Sequence, residues 1–87
     1  MADTENEKEW QIFSHNVAWL RSHHGLSKMK MAELLGIGVG SLNKIEKGIL
    51  PPQLSAWVIV EINRNFHIRP NDLLTQRFGE DDKQEPS

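Results

Sequence analysis

The chain has 87 residues, of which 38% are hydrophobic and 25% charged, and this is enough for one small domain with a single hydrophobic core. It contains no cysteine, which excludes a disulfide framework and a thiolate metal site and leads us to expect a cytoplasmic protein. Its longest apolar run, 56–60, is much shorter than a membrane-spanning helix, and no secretory leader is recognisable, so we expect a soluble protein without a membrane partner.

The formal net charge of -2 is distributed unevenly along the chain. Residues 1–8 carry a charge of -2 and residues 79–87 a charge of -3, and we expect both segments to be flexible acidic tails. The segment between them, 9–78, is predicted to form the folded domain, and its eight Lys and Arg residues outnumber its five Asp and Glu residues. The folded part is therefore mildly basic, which permits a polyanionic partner without requiring one.

The first predicted helix runs from Glu9 to about His23. Gly25 follows it, and glycine readily adopts the left-handed conformation that ends a helix. Apolar residues recur in this segment at spacings of three or four, which places them on one helical face: Trp10, Phe13, Val17 and Leu20.

A short second helix is predicted between Ser27 and Gly36. The Ser27 hydroxyl is suited to accept a hydrogen bond from a free amide of the first turn, and Gly36 favours termination. The inward positions follow helical spacing: Met31, Ala32 and Leu35.

A third short helix is predicted from Val39 to Lys47, with Leu42 and Ile45 inward and Gly48 as its stop. Two such short helices are too small to be stable alone, so both must pack on the remaining helices. A pair of this kind leaves the outer face of its second helix free to enter a DNA major groove.

Residues 49–52 are predicted to form a loop because they include paired prolines, and a fourth helix follows them. Val58–Val60 would also suit a buried strand, which is the alternative for this segment. Pro70 begins a fifth helix reaching about Phe78. Inward positions in these two helices are Leu54, Val58, Ile62, Phe66, Leu73 and Leu74. The predicted fold class is therefore all-α.

The stretch 26–48, LSKMKMAELLGIGVGSLNKIEKG, resembles the helix-turn-helix of the Cro and lambda-repressor-like (XRE) family of DNA-binding domains. The positions that match the family pattern are Ala32, Gly36, Ile37, Leu42, Ile45, Glu46 and Gly48. The likeness extends over about 9–78, and it implies a five-helix lambda-repressor-like domain. It further implies a sequence-specific transcriptional regulator, acting as a repressor on double-stranded DNA.

The resemblance also assigns DNA-contacting positions in this chain. Those that face base edges are Val39, Gly40 and Lys44, with Asn43 beside them, and those that contact phosphates are Lys28, Ser41 and Lys47. On this assignment Lys44 would donate to guanine, Asn43 would pair with adenine and Val39 would touch a thymine methyl group. The free amides at the start of the second helix would form a phosphate site.

The chain departs from the family pattern at several of these positions. Gly38 replaces the Ser or Thr that caps the third helix, and Gly40 weakens that helix by about 1 kcal/mol relative to Ala. Lys28 replaces a common Gln, and the loop 49–52 is apolar where many relatives are basic. These departures favour an alternative, a protein-interaction module on the same fold with a degenerate reading surface.

The apolar residues outside the predicted core offer a surface for that alternative. Trp19 and Trp57, together with Ile49 and Leu50, are predicted to form an exposed patch, and such patches often mark subunit contacts. A homodimer is the partner this patch suggests. The protein-interaction alternative would use Trp57, Leu50 and the acidic tails.

No residue pattern points to an enzyme or to a cofactor. The adjacent His23 and His24 point in different directions on a helix and have no acidic or cysteine partner at ligand spacing, so we expect surface histidines rather than a metal site. The carboxylates are not paired with a nucleophile or base, and no phosphate loop occurs. We therefore expect no catalytic residue, no metal, no cofactor and no small-molecule ligand.

Overall fold

The computed structural model describes residues 2–49 and 52–79, with side chains described over 8–49 and 53–79. In chain order its helices are α1 (Ala2–His23), α2 (Lys28–Leu35), α3 (Val39–Glu46), α4 (Pro52–Phe66) and α5 (Pro70–Thr75). No strand occurs in these two stretches of chain, so the predicted all-α class is confirmed.

The first helix is longer than predicted. It begins at Ala2 rather than Glu9, while its end at His23 agrees with the prediction. The prediction followed apolar periodicity alone, whereas the high intrinsic helix propensity of Ala, Glu and Lys in 2–8 does not depend on an apolar pattern. The flexibility expected of 1–8 stays a prediction, and 80–87, nearly all of the second expected tail, lies outside the described residues.

The core is formed by all five helices. α1 packs against α3 and α5, α2 packs against α3 and α4, and α4 packs against α5. The buried apolar side chains of this cluster are Phe13, Val17, Leu20, Met31, Ala32, Leu35, Leu42, Ile45, Val58, Ile62 and Leu73. Each of them was an inward position in the predicted helices. Trp10, Leu54, Phe66 and Leu74, also predicted to face inward, are only partly buried at the edge of the cluster.

The β-branched segment of α4 is helical, so the strand alternative is wrong. Val58 is fully buried, Ile59 is partly buried and Val60 is 52% exposed. In a strand, residues 58 and 60 would share a face, whereas a helix turns them to different sides. Packing of Val58 and Ile62 on the core therefore outweighs the local preference of these side chains for strands.

Both ends of α2 are fixed by specific hydrogen bonds. The Ser27 Oγ accepts from the Lys30 amide at 3.0 Å, as the sequence predicts for this cap. Gly36 has a φ of 72°, and the following amide of Ile37 donates to the Ala32 carbonyl at 3.0 Å. This left-handed turn needs glycine because a side chain there would be strained, and it directs the chain from α2 into α3 within three residues.

The side chain of Trp57 on α4 fixes the end of α2 from outside. Its Nε1 donates to the Leu35 carbonyl at 2.7 Å, which satisfies one of the free carbonyls at that helix end. α4 therefore holds the turn between α2 and α3 in place.

A buried polar side chain ends α5 early. Asn16 of α1 is fully buried, and its Nδ2 donates to the carbonyls of Leu73 and Gln76, both at 2.7 Å, while its Oδ1 accepts from the Phe78 amide at 2.9 Å. These bonds engage groups that would otherwise continue the helix. The helix therefore ends at Thr75 instead of the predicted Phe78.

Candidate nucleic-acid interface

One side of α3 is exposed and carries positive charge. Gly40 and Lys44 lie four positions apart on α3, and Lys47, three positions further, is the residue that caps its end. The three residues line one stripe, and all of them are exposed. The opposite side carries Leu42 and Ile45, which are fully buried in the core. Burial of this pair fixes the rotation of α3, and the two lysines are consequently directed to solvent.

The other sequence-predicted residues of α3 are less accessible. Val39 is 38% exposed, whereas Ser41 and Asn43 are half-buried. The Asn43 Oδ1 is buried and has no hydrogen-bond partner among the described atoms. The amide of Asn43 would therefore have to turn outward before it could pair with a base edge.

The exposed start of α2 is also a mixed polar and apolar surface. Lys28, the first residue of α2, is exposed, and Met29 beside it is 72% exposed. We did not predict Met29 as a surface feature, although the signal was present. Once Met31, Ala32 and Leu35 are assigned to the inward face, helical spacing directs residue 29 outward.

The single carboxylate of α3 is neutralised by an arginine from α1. Both oxygens of Glu46 accept from Arg21, with Nε to Oε2 at 2.8 Å and Nη2 to Oε1 at 3.2 Å. The Glu46 side chain is only 11% exposed. The hydrogen bond to Glu46 raises the pKa of the Arg21 guanidinium, against a smaller lowering by burial, so this arginine stays charged.

This ion pair also shapes the electrostatics of the exposed stripe. Two-pronged pairing with a guanidinium satisfies the Glu46 carboxylate inside the fold, so the charges that α3 presents to solvent are Lys44 and Lys47. On α2, Glu33 offsets part of the lysine charge, because its carboxylate lies 3.7 Å from the Lys30 ammonium at an exposed site. The α2 and α3 surface therefore keeps a positive balance, with four lysines against two glutamates over 27–48.

Neither glycine at the start of α3 is required by the fold. Gly38 and Gly40 both have negative φ values, and a Cβ built on either would meet nothing within 4 Å. Gly38 supplies no side-chain cap, in agreement with the departure seen in the sequence. The backbone at Gly38 and Gly40 is therefore open to close approach by another molecule.

We expect Gly40→Ala to stabilise the protein. Alanine fits into open space at a helical φ and restricts the unfolded chain, so the free energy of unfolding should rise by about 0.5–1 kcal/mol in urea denaturation. Gly36→Ala is the matched control, since the left-handed φ of 72° makes the same change destabilising there. A destabilised Gly40→Ala variant would contradict the open surroundings of this position.

The four residues of the predicted apolar patch, Trp19, Ile49, Leu50 and Trp57, differ in their outcome. Ile49 and Trp57 are 55% and 49% exposed, and Val60, one helical turn beyond Trp57, is 52% exposed. Trp19 does not belong with them, because it packs on the edge of the core with its ring stacked on His23 at 4.3 Å. Leu50 lies outside the described residues.

His23 and His24, predicted to be surface histidines, are both exposed. His24 lies against Phe66, with ring centroids 5.0 Å apart. Among the side chains described, over 8–49 and 53–79, no group of three or more His, Asp or Glu residues is arranged to hold a metal ion. No helix in this part of the chain has the length and apolarity needed to cross a membrane.

Comparisons with known proteins give no relative for this chain. No protein-family model, no curated protein and no solved structure matches it.

Proposed function

We propose that this chain is a sequence-specific DNA-binding transcriptional regulator that acts as a repressor. We further propose that its fold is a lambda-repressor-like helix-turn-helix domain. α2, the three-residue turn and α3 would form the helix-turn-helix, and α3 would enter the major groove. Occupancy of a promoter by the bound protein would then block transcription.

The observation that carries this proposal is the outward, cationic side of α3. Lys44 and Lys47 are directed to solvent by the burial of the opposite face, and the Glu46 carboxylate is held inside by Arg21. A polyanion can therefore approach α3 without meeting an exposed carboxylate of that helix.

The proposed division of roles follows the exposure of each side chain. Lys44, in the middle of the stripe, would donate to base edges, while Lys28 and Lys47 at the helix ends would contact phosphates. Gly40 would let the backbone of α3 approach the bases closely, because no side chain fills the space in front of it.

The salt dependence of binding to a random-sequence duplex tests the proposal. Lys28 and Lys47 each neutralise a phosphate and release counterions, so log K should fall with log salt concentration with a slope of about -2. Fluorescence anisotropy of a labelled duplex between low and physiological salt measures this slope. Affinity that is absent at low salt, or that does not change with salt, would refute DNA binding.

A second candidate function is a protein-interaction module, and the exposed apolar residues of α4 favour it. Trp57 and Val60 lie three positions apart, so they form one half-exposed apolar strip, which is typical of protein contacts. Trp57 is held in place by its bond to the Leu35 carbonyl. Val60→Ser removes exposed apolar surface and leaves the Trp57 bond to the α2–α3 turn intact. It should weaken partner binding if this function is correct, and it should leave the salt slope on DNA unchanged if the first one is.

A further inference from the structure

A cavity that is largely open to solvent, and separate from α2 and α3, lies between α1 and the segment that contains α5. Its volume is about 320 Å³, at the lower end of the range typical for small-molecule sites. Trp19, Ile68 and Phe78 supply apolar walls, and His67, Asp72 and Gln76 supply polar groups. None of these residues belongs to the proposed DNA-contacting surface.

The aromatic wall of this cavity is held in a fixed position. The backbone of Phe78 is fastened on both sides, because its amide donates to the Asn16 Oδ1 at 2.9 Å and its carbonyl lies 2.9 Å from the His15 Nε2. The Phe78 ring meets the Trp19 indole edge-on, with centroids 5.6 Å apart. A preformed aromatic pair of this kind binds a flat ring without a large ordering cost.

A second part of the lining, His67 and Ile68, lies in the turn between α4 and α5. His67 has a φ of 59°, and its amide donates to the Asn63 carbonyl at 3.0 Å. The Asn63 Nδ2 in turn donates to the Ile68 carbonyl at 3.0 Å. Two hydrogen bonds thus hold this turn, and Ile68 stays in place as an apolar part of the lining.

Gly79 completes the cavity because it has no side chain. Its φ is 86°, and a Cβ there would overlap the Trp19 indole, with 2.8 Å to its Cδ1. One face of the indole is covered, since His23 stacks on it. Glycine therefore lets the chain pass directly against the Trp19 edge, and no side chain from residue 79 fills the space beside it.

The charge of the lining selects the ligand. Asp72 is the only formally charged Asp, Glu, Lys or Arg among the lining residues, and its side chain is 31% exposed. Its present partners are weak, with the Gln76 Nε2 at 3.3 Å and the Nε of the 81% exposed Arg69 at 3.7 Å. The carboxylate is therefore available to a cationic group.

We propose that this cavity is a binding site for a small aromatic amine, whose ring lies against Trp19 and Phe78 and whose ammonium group meets Asp72. An aromatic carboxylate of the same size is disfavoured because its charge repels Asp72. The site goes beyond the proposed function, and its test does not depend on DNA binding.

Titration of the full chain with tryptamine, followed by NMR of the indole N–H signals, tests the site. The chain has three tryptophans, so the half-exposed Trp57 serves as an internal control for unspecific ring association. We expect a saturable shift of the Trp19 signal with a dissociation constant on the order of 1 mM at low salt. Indole-3-propionate, which carries a carboxylate instead, should bind roughly tenfold more weakly.

Asp72→Asn provides the decisive variant, because it keeps the shape of the side chain and removes its charge. The Asp72→Asn protein should bind tryptamine and indole-3-propionate with nearly equal affinity, and its far-UV circular dichroism should be unchanged. The proposal is overturned if Trp19 shows no saturable shift, if Trp57 shifts equally, or if the folded Asp72→Asn protein keeps the preference for the amine.

Discussion

Replacing Asn16 with leucine is expected to lower the free energy of unfolding by about 3–5 kcal/mol, which is much of the stability of a small domain. The change removes two donors and one acceptor together and leaves the carbonyls of Leu73 and Gln76 and the amide of Phe78 without their partner. Asn16→Asp should lower the free energy of unfolding by a similar amount. Aspartate has the same shape as asparagine, but it places an oxygen instead of the donor Nδ2 against two carbonyl oxygens. Urea denaturation followed by circular dichroism measures both.

Ser14→Ala is the matched control for this prediction. Ser14 lies on the same helix and is 6% exposed, but its Oγ has no hydrogen-bond partner among the described residues. Removing an unpaired hydroxyl from a buried position should be neutral or slightly stabilising, within about 0.5 kcal/mol. If Asn16→Leu proved as mild as Ser14→Ala, the Asn16 hydrogen bonds would not be what fixes α5 to α1.

The largest functional effect is expected at Lys44. If this side chain reads a base, Lys44→Ala should weaken binding to the preferred duplex by about 10-fold to 100-fold and relax the preference at one base pair. Lys28→Ala should instead weaken binding to all sequences alike and reduce the salt slope by about 0.9, because it removes a phosphate contact. Quantitative binding to a set of single-base variants of the duplex separates these two outcomes.

Lys8→Ala is the charge-matched control for both lysine variants. Lys8 is exposed on α1, and it lies about 20 Å along the helix from Arg21, the α1 residue that contacts α3. It removes the same positive charge at a distance from the proposed interface. Equal losses of DNA affinity in the Lys8, Lys28 and Lys44 variants would show that only the net charge of the protein determines binding.

Much of this fold is predictable because helical spacing encodes it locally. The inward positions of α3 follow directly from the spacing of Leu42 and Ile45, and the same spacing directs Lys44 and Lys47 outward. The caps of α2 are equally local, since Ser27 and Gly36 act on amides and carbonyls within a few residues. The exposure of the α3 stripe was therefore predictable, while its contact with DNA stays a prediction.

The features that were missed depend on pairs distant in sequence. Arg21 and Glu46 are 25 residues apart, and no periodicity links a guanidinium on one helix to a carboxylate on another. Trp19 was assigned to the exposed patch because its own helix face was already filled, but Phe78, from beyond α5, packs against it. Such contacts follow only from the tertiary arrangement.

Asn16 is different, because its signal was present in the sequence. It lies three positions after Phe13 and four before Leu20, on the apolar stripe of α1. A polar side chain on such a stripe must satisfy its hydrogen bonds inside the fold. The same reasoning predicts a buried Asn16, although its partners beyond α5 could not be named from the sequence.

Selection of bound duplexes from a random pool tests the central claim most directly. We expect the protein to enrich one common sequence over successive rounds, and the Lys44→Ala protein, in the same selection, to lose the preference at one or more base pairs. A pool that stays random, or one in which the wild-type and Lys44→Ala proteins enrich the same sequence equally, would contradict base reading by α3.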